Sequence, residues 1–195
     1  MDRQTPTDDI LIFSLRDNWK SFYGNVEESI TNIAPEPRGK DVDLRLYVDS
    51  DHAGEKRMRH SRSGFFVFMN TALVQWFSKQ QATIETSVFG AEFVAMKIGM
   101  ESLRGLRYKL RMMGVGIAGP SYIYGDNMSV INNTQRPESM LKKKSNSICY
   151  HTVRESVAMG ESLTAHIGTN ENVGNLATKS IVWTEAAIHG IATSI

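Results

Sequence analysis

The run Asp43-Leu44-Arg45-Leu46-Tyr47-Val48-Asp49-Ser50 decides the fold. Leu44, Leu46 and Val48 alternate with Arg45, Tyr47 and Asp49, the period-two pattern of a strand with one face buried. Downstream, Gly64 to Met69 is a near-continuous apolar and aromatic run, and Ala72 to Ser78 is another. Asn70-Thr71 between them suits a tight hairpin, although the Asn-Gly pair that most often marks one is missing. Three strands with short links predict an antiparallel meander.

The period then changes. Met96, Gly99, Leu103, Leu106, Leu110 and Met113 step by three and four, one stripe of a long helix ending near Gly114. Lys97, Arg104 and Arg111 fall on another face, read as the wet side of that helix. After Gly119-Pro120 come a short strand, Ser121 to Tyr124, and a polar helix start at Asn127-Met128-Ser129. A Lys-rich loop with one proline leads into a helix from about Ser145 to Gly160. Leu163, Ala165 and Ile167 alternate as a last strand, and a helix follows near Asn172 to Lys179. The order β-β-β-α-β-α-β-α implies an α/β (mixed α+β) domain, one mixed sheet with helices packed on it.

Residues 1–40 read differently. Pro6, Pro35, Pro37 and Gly39 punctuate them, and Ile10-Leu11-Ile12-Phe13 is their clearest element, as in a linker or the remnant of an upstream domain. The chain has 195 residues, room for one domain and an appendage. A net charge of +1 excludes polyanion binding by bulk charge, so any nucleic-acid site must be a local patch. A single Cys excludes an intramolecular disulfide and suits a reducing compartment. The start lacks an apolar signal core, and no apolar run nears the ~20 residues of a membrane span. These features predict a soluble intracellular domain, cytoplasmic or nuclear, neither secreted nor membrane-bound.

Four residues before Met96, the helix stripe reaches Glu92. A carboxylate on an otherwise apolar face is costly unless its charge is compensated. Asp49 ends the first strand, and Asp126 ends the strand after the long helix. Carboxylates at two strand ends and in the first turns of the connecting helix can converge at one sheet edge. Their repulsion is relieved by a divalent cation, and oxygen-only ligands favour Mg²⁺ or Mn²⁺. Such sites activate water and clamp a phosphodiester, with two metals ~4 Å apart. Strand-end Asp and first-turn Glu are also common as caps and surface residues.

The surrounding residues carry a resemblance. Tyr47-Val48-Asp49-Ser50-Asp51-His52-Ala53-Gly54, followed by Arg62-Ser63-Gly64, resembles the opening of a copia-type retrotransposon ribonuclease H domain. Trp76-Phe77-Ser78-Lys79-Gln80, Glu85-Thr86-Ser87, Ala91-Glu92-Phe93-Val94-Ala95 and Tyr124-Gly125-Asp126-Asn127 follow in the family's order. Tyr150-His151, Val153-Arg154-Glu155 and Asn175-Leu176-Ala177-Thr178-Lys179 complete the series. The resemblance implies a ribonuclease H-like fold with a five-stranded mixed sheet over residues 41–181. Residues 1–40 would be a connector or remnant of the upstream polymerase region, and 182–195 a tail. It implies an endonuclease that cuts RNA in RNA–DNA hybrids during reverse transcription, linked to a reverse transcriptase in a parent polyprotein.

The same resemblance assigns two Mg²⁺ ions, with Mn²⁺ as substitute. Asp49 would bridge both, while Glu92 and Asp126 would hold the one on the leaving-group side. The fourth family acid, on the nucleophile side, falls at Asn175. An amide oxygen can ligate Mg²⁺ but lacks the carboxylate's charge, so that ion is expected to bind more weakly. Two readings therefore stand: an active nuclease, or a degenerate or domesticated copy that binds nucleic acid without cutting it. A purely structural interaction domain would need the acid cluster to be accidental.

The remaining candidates are set against plainer roles. Lys142, Lys143 and Lys144, with Arg136 nearby, are candidate phosphate contacts or a solvated loop. Ser87 and Asn127 flank the acids and would touch a 2′-hydroxyl or phosphate, or serve as helix caps. Trp76 and Phe77 are expected in the core. Asp51 reads as a turn cap and His52 as packing or solvent-exposed. Cys149, His151 and His166 lack a zinc spacing, and His166 reads as a strand residue and not as a proton shuttle. Tyr47-Val48-Asp49-Ser50 lacks the second adjacent Asp of a polymerase hairpin.

Overall fold

The computed structural model describes residues 19–52, 60–82, 84–141 and 144–179. The run at residues 10–13, the tail at 182–195, Lys142 and Lys143 lie outside them. After a helical turn at 19–23 come β1 (Arg38–Val42), β2 (Leu44–Asp51), β3 (Arg62–Met69) and β4 (Ala72–Gln80). Then follow α1 (Val88–Met112), β5 (Val115–Ile117), β6 (Ser121–Gly125), α2 (Met128–Gln135), α3 (Ser147–Ala158), β7 (Ser162–His166) and α4 (Asn175–Thr178).

Five strands form one sheet in the order β4-β3-β2-β6-β7. The β2–β3 and β3–β4 pairs are antiparallel, whereas β2–β6 and β6–β7 are parallel. This is the mixed sheet expected from the sequence, with the meander on one side and crossover strands on the other. Asn70 closes the β3–β4 hairpin at φ 55°, a left-handed conformation that Asn tolerates better than most residues. Its side-chain oxygen accepts from the Asp43 N–H at 2.9 Å, tying the turn to the start of β2.

Leu44, Leu46 and Val48 of β2 and Phe65 and Val67 of β3 pack against Met96, Met100 and Leu103 of α1. Burying each such side chain contributes roughly 1.5–3 kcal/mol, and this layer fixes α1 across the sheet. A Cβ at Gly99 would meet Leu46 Cδ2 at 2.9 Å, so the glycine in the stripe sets how closely α1 approaches. Ser87 caps α1 by accepting from Gly90 N–H at 3.2 Å, and Gly114 at φ 72° ends it.

Four features depart from the sequence reading. The expected order β-β-β-α-β-α-β-α counts one helix between β6 and β7, whereas the helix start at Asn127 and the helix from about Ser145 are two separate elements. Arg136 precedes Pro137 and is extended (φ −107°, ψ 113°), which stops α2. Strands β1 and β5 pair in a separate two-stranded parallel sheet, too short to show a period. Trp76 is 67% exposed, not core. It lies on the sheet's outer strand, where Gln75 and Phe77 face α1 and the alternate residues face away. The Arg104 and Arg111 face of α1 is not merely wet: Arg104 Nε donates to Glu161 at 2.8 Å, and Arg111 pairs with Glu28.

Residues 19–40 pack on this domain. Trp19 is buried against Val157 and Ala158, with the Arg154 guanidinium 4.8 Å from its ring centroid. Glu28 accepts from Arg107 Nε at 2.8 Å and Nη2 at 2.7 Å, and also from Arg111. Burial pushes the Glu28 carboxyl up, but the two guanidinium groups overrule it and hold it at about 2. No helix among the described residues is long and apolar enough to cross a membrane.

Candidate metal centre

Three elements deliver one carboxylate each. Asp49 sits near the end of β2, opposite Gly64 of β3; Glu92 lies in the second turn of α1; Asp126 follows the last residue of β6. One oxygen from each lies within 4.8 Å of the others. The parallel β2–β6 pairing brings the two strand ends side by side, and the packing of α1 on β2 swings Glu92 over them. The convergence expected from spacing alone is therefore present.

Asp49 and Glu92 are each only 6% exposed. Burial, reinforced by the Asp49 and Asp126 charges, raises the Glu92 carboxyl to about 8. Burial also raises Asp49, against a hydrogen bond from Thr178, and the Asp126 charge adds to the rise. Three carboxyl groups crowded together, two of them buried, form a poor structural core but a good cation site. An all-oxygen set of this charge fits a hard divalent ion such as Mg²⁺ or Mn²⁺. It is the sole cluster of His, Cys, Asp or Glu suited to a metal among the described residues.

Asn175 opens α4, the helix that packs beside Asp49, but its side-chain amide donates to the Thr169 carbonyl at 2.6 Å. Ser87 and Asn127 serve as the caps of α1 and α2; Asn127 accepts from Ser129 N–H at 3.1 Å and Val130 N–H at 3.3 Å. Lys144 is exposed in the turn before α3. His52 Nε2 donates to the Glu85 carbonyl at 3.0 Å, just outside the cluster.

Sequence reasoning missed three contributors. Thr178 Oγ1 hydrogen-bonds Asp49 Oδ2. Asn172 Nδ2 donates to the Val48 carbonyl at 3.0 Å, bolting the loop before α4 onto the strand next to Asp49. His166 is indeed the last residue of β7, yet its Nε2 lies 3.2 Å from the Asp126 carbonyl oxygen, beside the acids. A strand-final His paired across β6–β7 with Gly125, next to Asp126, was the available signal.

No family model matches the chain. In sequence it is 26% identical over 144 residues to the retrovirus-related Pol polyprotein of transposon RE1 from Arabidopsis thaliana, covering 74% of this chain and 10% of that protein. It is 28% identical over 145 residues to the corresponding polyprotein of transposon TNT 1-94 from Nicotiana tabacum, covering 73% and 11%. The chain thus spans about a tenth of the length of the curated relatives it matches. In structure it is similar to ribonuclease H1 of the archaeon Halobacterium salinarum, with a TM-score of 0.52 at 11% identity over 70% of this chain and 93% of that one. It also matches LC11 ribonuclease H1, a compost metagenome protein solved in complex with an RNA/DNA hybrid, with a TM-score of 0.53 at 13% identity over 67% and 89%. Fold and sequence comparison point the same way: the chain has the ribonuclease H fold and is similar in sequence to retrotransposon Pol polyproteins.

Proposed function

We propose that the chain is a metal-dependent endonuclease that cuts the RNA strand of RNA–DNA hybrids during reverse transcription. One observation carries the reading: three carboxylates from three separate elements converge within 4.8 Å, two of them buried. The similarity to transposon Pol polyproteins supports linkage to a reverse transcriptase in a parent polyprotein, inside the cell. In that setting residues 1–40 are the connector from the polymerase region, 41–181 the nuclease and 182–195 its tail.

Asp49, Glu92, Asp126 and Asn175 would hold two Mg²⁺ ions, with Mn²⁺ as substitute. Such ions would supply a lowered pKa for an attacking water and positive charge against the phosphodiester. Glu92, whose carboxyl lies at about 8 in the metal-free fold, would have to give up its proton to ligate a cation, since a ligating carboxylate must be ionised. A carbonyl only accepts, so His166 donates from Nε2 to the Asp126 carbonyl, which holds its ring beside the acids. Ser87, Asn127 and the run Lys142, Lys143 and Lys144 contact the hybrid's backbone.

A second reading rests on Asn175, an amide already hydrogen-bonded to Thr169 where the family has an acid. A domain weakened there keeps the fold and binds nucleic acid without cutting it. A gel assay with end-labelled hybrid in Mg²⁺, Mn²⁺ or chelator tests the proposal. Metal-dependent cuts in the RNA strand, lost in Asp49→Asn, are expected; binding without cleavage in either metal would favour the relic.

A further inference from the structure

We propose that Thr178 is a positioning residue: its hydroxyl fixes the plane of the Asp49 carboxylate for metal binding, in a corner that lacks the fourth acid. The inference rests on the reading of Asp49 as a metal ligand.

The corner is assembled from residues that share one task. Gly64 lies opposite Asp49 on β3, and a Cβ there would meet Ala177 Cβ at 2.5 Å, its backbone carbon at 2.8 Å and Thr178 Cγ2 at 3.0 Å. A Cβ at Gly174 would meet the Val48 carbonyl carbon at 2.9 Å and Asp49 N at 3.1 Å. Both positions are therefore empty of side chain where α4 must touch the sheet. Buried Asn172 completes the attachment, donating to the Val48 carbonyl and accepting from Gly174 N–H at 3.0 Å. The residues that lead into α4 are thus pinned against the Val48–Asp49 peptide.

This attachment buries the Thr178 side chain and aims its oxygen at Asp49 Oδ2. A hydroxyl has one proton to give. Two acceptors compete for it, Asp49 Oδ2 and the Asn175 carbonyl at 3.1 Å. The carboxylate is closer and charged, so it takes the proton, and charge-assisted bonds of this kind are the stronger class. A carboxylate oxygen has two lone pairs, so Oδ2 can accept from Thr178 and still face a cation. With Asn175 engaged at Thr169, Thr178 is the α4 side chain seen to bond the acid cluster.

Two substitutions separate hydroxyl from methyl. Thr178→Val keeps the shape and removes the donor, while Thr178→Ser keeps the donor and removes the methyl. Mn²⁺ binding to the full chain is measured by titration calorimetry, and metal-free stability by denaturant unfolding in chelator. Thr178→Val is expected to weaken Mn²⁺ binding by about tenfold or more, and Thr178→Ser to bind within about twofold of the unaltered chain. If Thr178→Val does not fold, Thr178→Ala supplies the same contrast. Metal affinity following the hydroxyl, whichever variant unfolds first in chelator, separates positioning from mere packing. Equal Mn²⁺ affinity in the Val and Ser variants, with binding lost in Asp49→Asn, overturns the role of Thr178 and leaves the metal centre standing. Equal binding by the unaltered chain and Asp49→Asn overturns both.

Discussion

Replacing Glu92 by Gln should stabilise the metal-free protein, and the size of the effect follows from the site. The Glu92 carboxyl lies at about 8 in the fold against an ordinary value of 4.5, because it is buried beside two other acids. The native state therefore holds its proton more tightly than the unfolded chain does. Stability is unaffected below the unfolded value, falls as pH rises through the interval, and levels off above the folded value. Linkage puts the loss at about 3 kcal/mol near pH 7 and roughly 5 kcal/mol once the group is fully ionised. Gln has nearly the same volume and no charge to lose, so the variant should gain about 1–3 kcal/mol between about pH 7 and 8 and almost nothing near pH 4. Urea unfolding in chelator across that range reads the difference directly. A loss of similar size at every pH would refute the reasoning and make Glu92 a structural hydrogen-bonding residue.

Three further outcomes are expected. Asn175→Asp should raise the cleavage rate in Mg²⁺ by about tenfold with hybrid affinity nearly unchanged, read by single-turnover kinetics and filter binding; an unchanged rate would show that the nucleophile-side ligand is not limiting. Glu28→Gln leaves Arg107 and Arg111 without their carboxylate and should cost about 2–3 kcal/mol near pH 7 in urea unfolding. Because Glu28 is depressed to about 2, its contribution is present above its ordinary 4.5 and disappears as pH falls through the folded value. Gly64→Ala drives a methyl into Ala177 and should destabilise by about 1–3 kcal/mol while weakening Mn²⁺ binding, since α4 cannot keep its seat; thermal melts and calorimetry with wild-type values would count against that packing.

What the sequence revealed depended on whether a residue's partner lay within its own periodic pattern. Leu44, Leu46 and Val48 announced β2 by alternation, and Glu92 stood out as an acid on an apolar helical stripe. The mixed sheet and the meeting of Asp49, Glu92 and Asp126 followed from strand ends and crossover topology. Thr178 was illegible because its partner is Asp49, 129 positions away, and a lone Thr in a short helix carries no pattern. Trp76 misled because aromatic character was read as burial, while its position on the outer strand turns it to solvent. The packing of residues 19–40 depends on Trp19 and Glu28 meeting Arg154, Arg107 and Arg111 far along the chain, contacts invisible to local periodicity.

The central claim is that the three carboxylates form a divalent-cation centre. A crystal grown with Mn²⁺ and measured at a wavelength where manganese scatters anomalously tests it most directly. The account predicts an anomalous peak in contact with Asp49, Glu92 and Asp126, and its loss in crystals of Asp49→Asn. Crystals in which the three acids stay together with no peak between them, or with Mn²⁺ bound elsewhere on the chain, would contradict it.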